Sequence, residues 1–324
     1  MSSDTSSSNT SSFVEINMTN VSLNNDKKKL FSRKTKGDIF FEAAIVVLMV
    51  FVCFVTLYPV WYTVVISLND GMDAMQGGIY LWPRVFSLAN YQTVFSNTDI
   101  IKGFGVTTAR TIIATVLSVL FTAMVSFGMS KKELIGRKFY LIIGTITLFF
   151  SGGLIPYFIL IKNLGLIDNF LVYIIPAMFN FYNLIIFNAF FKELPGELEE
   201  SAKIDGANDF TVFTRIIIPL SKPILATMAL FNGVYHWNDY FMGVIFMIRH
   251  TDLQPIQTFL YRVIAETTSN QMLYSAPGGI QNTTVTSQSI RMATMVVTTL
   301  PIICVYPFLQ KYFVKGMLVG SIKG

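Results

Sequence analysis

Charge is scarce in this sequence. Asp, Glu, Lys and Arg together make up 13% of its 324 residues, where a soluble domain carries roughly a quarter. With 52% of the residues hydrophobic, that shortage excludes an ordinary water-soluble globule and points to an integral membrane protein. Cysteine is nearly missing too. Cys53 and Cys304 both lie inside long apolar runs, which favours free thiols facing lipid or core over a disulfide. The two histidines, His236 and His250, have no metal-ligand spacing. There is no G-x-x-x-x-G-K-[S/T] phosphate loop, so ATP binding by that device is excluded and no cofactor is expected in this chain. No Ser-His-Asp set stands out, and the sequence offers no catalytic centre of its own. The net charge of +5 is not a nucleic-acid footprint, because the basic residues cluster beside apolar runs instead of forming a patch on a folded surface.

What the sequence has in abundance is long apolar runs. A helix that crosses a bilayer needs roughly 20 mostly apolar residues. Six stretches qualify: Ile39–Leu68, Gly103–Met129, Phe139–Tyr157, Phe170–Phe191, Pro223–Ile248 and Met292–Leu309. An all-α protein with six transmembrane helices is therefore expected. Pro156, Pro176, Pro301 and Pro307 lie in or near these runs, where packed neighbours can re-satisfy the freed carbonyls. Lysine and arginine set the orientation. With the N-terminus inside, segments 1–38, 130–138, 192–222 and 310–324 hold 17 of them, and segments 69–102, 158–169 and 249–291 hold 6. This bias places both termini in the cytoplasm. The Ser-, Thr- and Asn-rich start reads as a disordered basic tail over 1–38, followed by a six-span region over 39–311 and a cytoplasmic tail over 312–324. The first run is too long for a cleaved signal peptide, starts too far from Met1 and lacks an Ala-x-Ala-type exit. Among the outer segments, Asn69–Ile100 holds Trp82, Pro83 and Tyr91 and is expected to have structure of its own. Arg249–Ile290 is the longest, carries a turn signal at Ser275–Gly279, and is a place where a partner could dock.

The stretch Glu197–Pro223, overlapping an inner loop spanning 193–222, is charged yet patterned. Leu194, Leu198 and Ala202 recur every four residues as an apolar stripe. Pro195 suits a first helical turn, and Glu197, Glu199 and Glu200 suit the positive end of a helix dipole. Gly206 offers a left-handed stop, and Asn208 or Asp209 can cap a second helix. Phe210, Phe213 and Ile217 would give that helix an apolar face, and Pro219 would break it. The expected product is a short helical hairpin along the membrane, acidic outside and apolar beneath. On these grounds it is either a docking element or an interfacial connector with no partner.

Glu200-Ser201-Ala202, then Gly206, then Ile216 and Ile218-Pro219, resemble the EAA motif of ABC-importer permeases: E-A-A, three residues, G, nine residues, I-x-L-P. Ser201 and Ile218 depart mildly from the Ala and Leu of that pattern. Phe149–Pro156, Lys162–Leu166, Trp237-Asn238 and the C-terminal YPFLQKYFVKGMLVGSIKG are similar to the complex-carbohydrate (LplC/YtcP-like) branch of the maltose-type, carbohydrate-uptake-1 class. The resemblance covers residues 38–324 or so. It implies a type I importer core in which the hairpin is the coupling helix, with Glu197, Glu200, Ser201, Ala202, Asp205, Gly206, Ile216 and Pro219 serving ATPase coupling. It also implies a bacterial plasma-membrane location and a set of partners. These are a second homologous permease subunit, two cytoplasmic ATPase subunits that bind ATP and Mg, an extracytoplasmic solute-binding protein and an oligosaccharide substrate moved by alternating access. The tail from Lys311 would reach between the ATPases, although a snorkelling anchor suits its lysines equally well.

Ionisable residues inside spans are costly and default to functional roles. Arg110 reads as an ion-pair or outer-gate residue. Asp239 sits in a cluster, Tyr235, Trp237, Asn238 and Asp239, that with Tyr182, Asn183 and Asn188 could line a substrate path: aromatic faces stack on sugars, and amides and carboxylates bind hydroxyls. Such groups also hydrogen-bond helix to helix, and Trp237 can be a packing residue. Two alternatives to an importer subunit are a secondary transporter, which needs intramembrane acids, and a non-transport membrane scaffold that docks a cytoplasmic partner.

Overall fold

The computed structural model describes residues 36–274 and 285–321. The tail before residue 36, the turn signal at 275–279 and residues 322–324 lie outside that range. In chain order the helices are α1 (Lys36–Ser67), α2 (Gly71–Met75), α3 (Ala89–Ser96), α4 (Thr98–Ser130), α5 (Arg137–Phe149), α6 (Leu154–Asn163), α7 (Phe181–Glu193), α8 (Gly196–Ile204), α9 (Asp209–Leu220), α10 (Lys222–Asn238), α11 (Phe241–Phe246), α12 (Ile256–Tyr274) and α13 (Ser287–Ser321). Among the described residues the only β pairing is an isolated bridge, Asn69–Phe86. The described residues form an all-α fold, as the long apolar runs led one to expect.

The chain divides into two units, Met1–Trp61 and Tyr62–Gly324. In the first, α1 is exposed at every side chain from Ile39 to Leu57. A helix that is apolar on all faces needs lipid around it. Thr56 satisfies its hydroxyl by donating to the Val52 carbonyl at 2.8 Å, one turn back.

The second unit is built on α4. Asn97 caps it, accepting from the Asp99 N–H at 2.9 Å. Its buried face is rich in small and hydroxyl residues, among them Thr107, Ala114, Thr115, Ser118, Thr122, Ala123 and Ser126, the composition that lets membrane helices approach closely. Three helices exploit this, α7, α10 and α12. Ser126 Oγ donates to the Leu184 carbonyl of α7 at 2.6 Å, and Thr107 Oγ1 accepts from the Ile256 N–H of α12 at 2.9 Å. Helix α13 packs in turn on α10, α12 and α3.

Helices α1 and α4 and the Ser287–Val305 part of α13 are long and apolar enough to cross a bilayer. The third, fourth and fifth expected spans are not straight helices. The third breaks at Phe150–Gly153, and α5 and α6 meet at 118°. Gly153 adopts φ 82°, ψ 175° there, a conformation open to glycine and almost nothing else. The fourth opens with a 3₁₀ turn, Phe170–Tyr173, and becomes helical at α7, where Asn180 accepts from the Asn183 N–H at 3.1 Å. The fifth stops at Asn238 and restarts as α11. The stretch expected as an outer connector, 249–291, carries the 19-residue helix α12. Counting each of two bent pairs, α5 with α6 and α9 with α10, as one span gives five spans among the described residues.

Candidate functional site

The hairpin formed by α8 and α9 is built by local chemistry. Glu197 and Glu199 occupy the first turn of α8. Pro195 stands at its cap, one position before the expected first turn. At the other end the Gly206 N–H donates to the Lys203 carbonyl at 3.0 Å and the Ala207 N–H to the Ala202 carbonyl at 2.9 Å. This paired bonding closes a helix with a left-handed residue, and Gly206 supplies it at φ 85°. A Cβ at Gly206 would meet nothing within 4 Å, so the glycine is required by its torsion and not by lack of room. Asn208 then caps α9, accepting from the Thr211 N–H at 2.8 Å. Pro219 cannot donate to the helix, and Phe213–Ile217 just before it is wound as a π-helix.

The underside of the hairpin is anchored. Val212, Phe213 and Ile217 are buried against Phe127 of α4, Phe187 and Phe191 of α7, and Met228 of α10. The Phe127 and Phe213 rings are 5.5 Å apart. Phe210, expected on this face, is instead 67% exposed, and Ile204 is 86% exposed. The turn at Gly206 restarts the helix in a new phase, so the apolar stripe begins at Val212 and leaves Ile204 and Phe210 on either side of the tip. Above the stripe lies a charge cluster. Lys131, the residue that ends α4, pairs with Glu199 and lies 4.0 Å from Asp209 Oδ1. Lys203 Nζ lies 3.0 Å from Glu199 and 3.5 Å from Asp209. Burial pushes the Glu199 carboxyl up, but hydrogen bonds from Lys131 and Lys203 outweigh it, and the net direction is below the usual carboxylate range. The Glu199 hydrogen bond, with help from Asp209, raises Lys203 above the usual lysine range.

A second polar feature is a cavity of about 300 Å³ lined by Arg110, Tyr157, Tyr173, Asn180, Asn183, Asn232, Tyr235, His236 and Asp239. Arg110 Nη2 lies 2.6 Å from Asp239 Oδ2, and Nη1 donates to the Asp239 carbonyl at 3.1 Å. The guanidinium lies 4.4 Å from the Tyr173 ring centroid. The other oxygen of Asp239 accepts from the Phe241 N–H at 2.9 Å, so this one carboxylate caps α11 and neutralises Arg110. Arg110 Nε and His236 Nδ1 are buried without a hydrogen-bond partner. Amides, phenols and unspent polar atoms around an open volume suit a ligand rich in hydroxyls.

A profile of the family described as "Binding-protein-dependent transport system inner membrane component" matches residues 125–319. The chain belongs to this family. The permease is 38% identical over 290 residues to "Protein LplC" of Bacillus subtilis (strain 168), covering 90% of this chain and 97% of LplC. It is 36% identical over 298 residues to the "Polygalacturonan/rhamnogalacturonan transport system permease protein YtcP" of the same organism, covering 92% and 100%. Among solved structures it resembles a chain of a bacterial ABC transporter involved in the import of the acidic polysaccharide alginate, with TM-score 0.79, 28% identity, and 87% and 99% coverage. The fold is that of a type I ABC importer permease.

In the permease the residues of the EAA-like motif fall into two groups. Glu197, Glu200, Ser201, Asp205 and Gly206 are exposed along α8 and its turn. Ala202 and Ile216 are partly buried, and Pro219 is exposed where α9 approaches α10. Of the seven substrate-path candidates, Asn183, Tyr235 and Asp239 line the cavity, and four do not. Tyr182 is exposed. Asn188 is buried, donating to the Ser126 carbonyl at 3.3 Å. Trp237 Nε1 donates to the Thr298 carbonyl of α13 at 3.1 Å, and Asn238 to the Val234 carbonyl of its own helix at 2.9 Å. Helical periodicity accounts for this split on α10: Asn232, Tyr235, His236 and Asp239, spaced by three and four, share a face that Trp237 and Asn238 do not. That spacing was a signal for Asn232 and His236. Asn180, Tyr157 and Tyr173 carried none, since distant segments bring them to the cavity. Lys131 carried only its place at the end of a long apolar run.

Proposed function

We propose that this permease is the membrane subunit of an ATP-driven, binding-protein-dependent importer of oligosaccharides or polysaccharide fragments, working by alternating access. The observation that carries this is the hairpin: a capped, anchored element with an exposed acidic arm, in a permease family member that has no phosphate loop of its own. Such a hairpin can transmit a push from another chain. Its partners would be a second, homologous permease subunit, two cytoplasmic ATPase subunits holding ATP and Mg, and an extracytoplasmic solute-binding protein. The basic-residue bias supports a multi-pass plasma-membrane topology with both termini and the hairpin in the cytoplasm. A sixth span beside the five counted among the described residues would come from the 3₁₀ turn Phe170–Tyr173 and α7 taken together. Glu197, Glu200, Ser201 and Asp205, with the tip residues Ile204 and Phe210, would meet the ATPase. Gly206 makes the turn, Ala202 and Ile216 seat it, and Pro219 marks where α9 approaches α10.

The substrate class is supported by the relatives, one named for polygalacturonan and rhamnogalacturonan transport and another for alginate import. The path would run along the cavity, past Asn183, Tyr235 and Asp239. The secondary-transport alternative would use Asp239 as an ion carrier, but that carboxylate is already bonded to Arg110.

The test is coupling in the reconstituted importer. Gly206→Pro replaces φ 85° with a ring-locked negative value and deletes the N–H that closes α8, and Glu200→Lys reverses the exposed charge. Both are expected to lower binding-protein-stimulated ATPase and oligosaccharide uptake at least about tenfold, ~1.4 kcal/mol, with the amount of permease in the membrane unchanged. Stimulated ATPase equal to that of the unaltered complex would sink the assignment.

A further inference from the structure

We propose that Lys131 is a positioning residue of the transport cycle: it fastens the hairpin to α4, so that a push on α8 and α9 moves α4 and the Arg110–Asp239 pair at the cavity. This rests on the reading of the hairpin as the coupling element and says by which route its motion reaches the spans.

Four charged side chains meet above the buried aromatic seat: Lys131, Glu199, Lys203 and Asp209. Lys203, Glu199 and Asp209 all belong to the hairpin, and their contacts hold its two arms to each other. Lys131 alone comes from outside, from the end of α4, and it reaches a carboxylate on each arm. Its side chain is 17% exposed, and its ammonium lies 4.0 Å from the centroid of the Phe127 ring one turn earlier. A charge so enclosed by carboxylates and an aromatic face is screened less than a surface pair and has less freedom to wander. The same ring packs on Phe213 of α9, so the ionic and apolar contacts between hairpin and helix coincide.

The route onward is one helix. Helix α4 runs unbroken from Thr98 to Ser130 with no proline in it. Arg110 lies about 30 Å up the same helix from Lys131, and it is bonded to the residue where α10 breaks. A displacement entering at Lys131 therefore arrives at the cavity as a shift of Arg110 against Asp239. The competing account is that the Phe127–Phe213 seat alone transmits the motion and that Lys131 merely sits over it.

The test uses the complete importer with its ATPases and binding protein, and reads uptake per ATP hydrolysed. Lys131→Gln is expected to leave assembly and hydrolysis in place and to lower uptake per ATP about fivefold or more, the lower end of typical coupling between sites. Lys131→Arg is expected to restore it, because a fork of donors still reaches both carboxylates. A second measurement covers the case in which Lys131→Gln fails to assemble. In a Cys53→Ser, Cys304→Ser background, Lys131→Cys and Glu199→Cys are joined by a short bis-thiol reagent, and the joined complex is expected to transport better than the unjoined one. Unchanged uptake per ATP in Lys131→Gln, or a joined complex that stops transporting, would overturn the proposal. If Gly206→Pro uncouples and Lys131→Gln does not, the hairpin reading stands and this one fails. If Gly206→Pro leaves coupling intact, both fail.

Discussion

Glu199 and Glu200 are neighbours with opposite duties. The EAA-like pattern singles out Glu200, which is exposed; the fold uses Glu199, which faces Lys131, Lys203 and Asp209. The difference is one of helical phase, about 100° per residue. The i,i+4 pair with Lys203 was legible from spacing, whereas the contact with Lys131, 68 residues away, was not. The pH response of this cluster follows from the two shifts. Glu199 titrates below its ordinary value of 4.5. A depressed carboxylate contributes stability above its unfolded pKa and loses it as pH falls through the folded one. Lys203 titrates above its ordinary value of 10.5. A raised lysine contributes below its unfolded pKa and loses the contribution only as pH climbs through the folded value. Both contributions are therefore complete across the neutral range. Amide hydrogen exchange over residues 196–220, corrected for its intrinsic pH dependence, is expected to be flat between about pH 6 and 9 and to lose protection only as pH falls below 4.5, the ordinary carboxylate value. A loss of protection between pH 6 and 8 would mean that some other group controls the hairpin.

Elements were legible where local chemistry decides them. Helices α1, α4 and α13 are long and apolar, and the hairpin announces itself through Gly206, Asn208 and the acidic first turn of α8. Hydropathy is blind to backbone torsion, and so Phe139–Tyr157 reads as one span although Ser151-Gly152-Gly153 bends it by 118°. It is equally blind to helix α12, whose mixed composition reads as a connector until tertiary contacts enter. Thr107 takes its first N–H and Thr258 donates to the Tyr240 carbonyl at 3.0 Å. The bent α5 is held by a close approach: Gly144 lies beneath the Phe181 ring of α7, and a Cβ there would run into that ring. Gly144→Ala forces the ring or the helix aside, and overpacking of this kind costs about 1–3 kcal/mol. The expected outcome is a lower melting temperature of the detergent-solubilised permease, partly recovered when Phe181→Leu is added in the same chain. An unchanged melting temperature in Gly144→Ala alone would show that α5 and α7 are not tightly packed there.

At the scale of the whole molecule the decisive contact joins residues 129 positions apart, Arg110 on α4 and Asp239 at the break after α10. The sequence marks each as a costly ion inside an apolar run and leaves Arg110 as an ion-pair or outer-gate residue. It cannot name the partner, because nothing local encodes a contact made by packing two distant helices. Their side chains are 1% and 9% exposed, so removing one charge leaves the other largely buried without its partner. Breaking one side of such a pair typically costs about 3–5 kcal/mol, while removing both charges is far milder. Asp239→Asn keeps an oxygen to accept from the Phe241 N–H and so preserves the start of α11, but it leaves Arg110 unbalanced. The single variant is therefore expected to melt well below the unaltered permease, and Arg110→Leu combined with Asp239→Asn is expected to recover most of the loss. Uptake need not recover with stability. If Arg110 is the point where motion along α4 reaches the cavity, the double variant is stable yet transports poorly, with hydrolysis still stimulated by the binding protein. A double variant that transports normally would make the pair a stabilising contact without a part in the stroke. One that melts as low as Asp239→Asn alone would show that the cost lies in lost packing and not in a stranded charge.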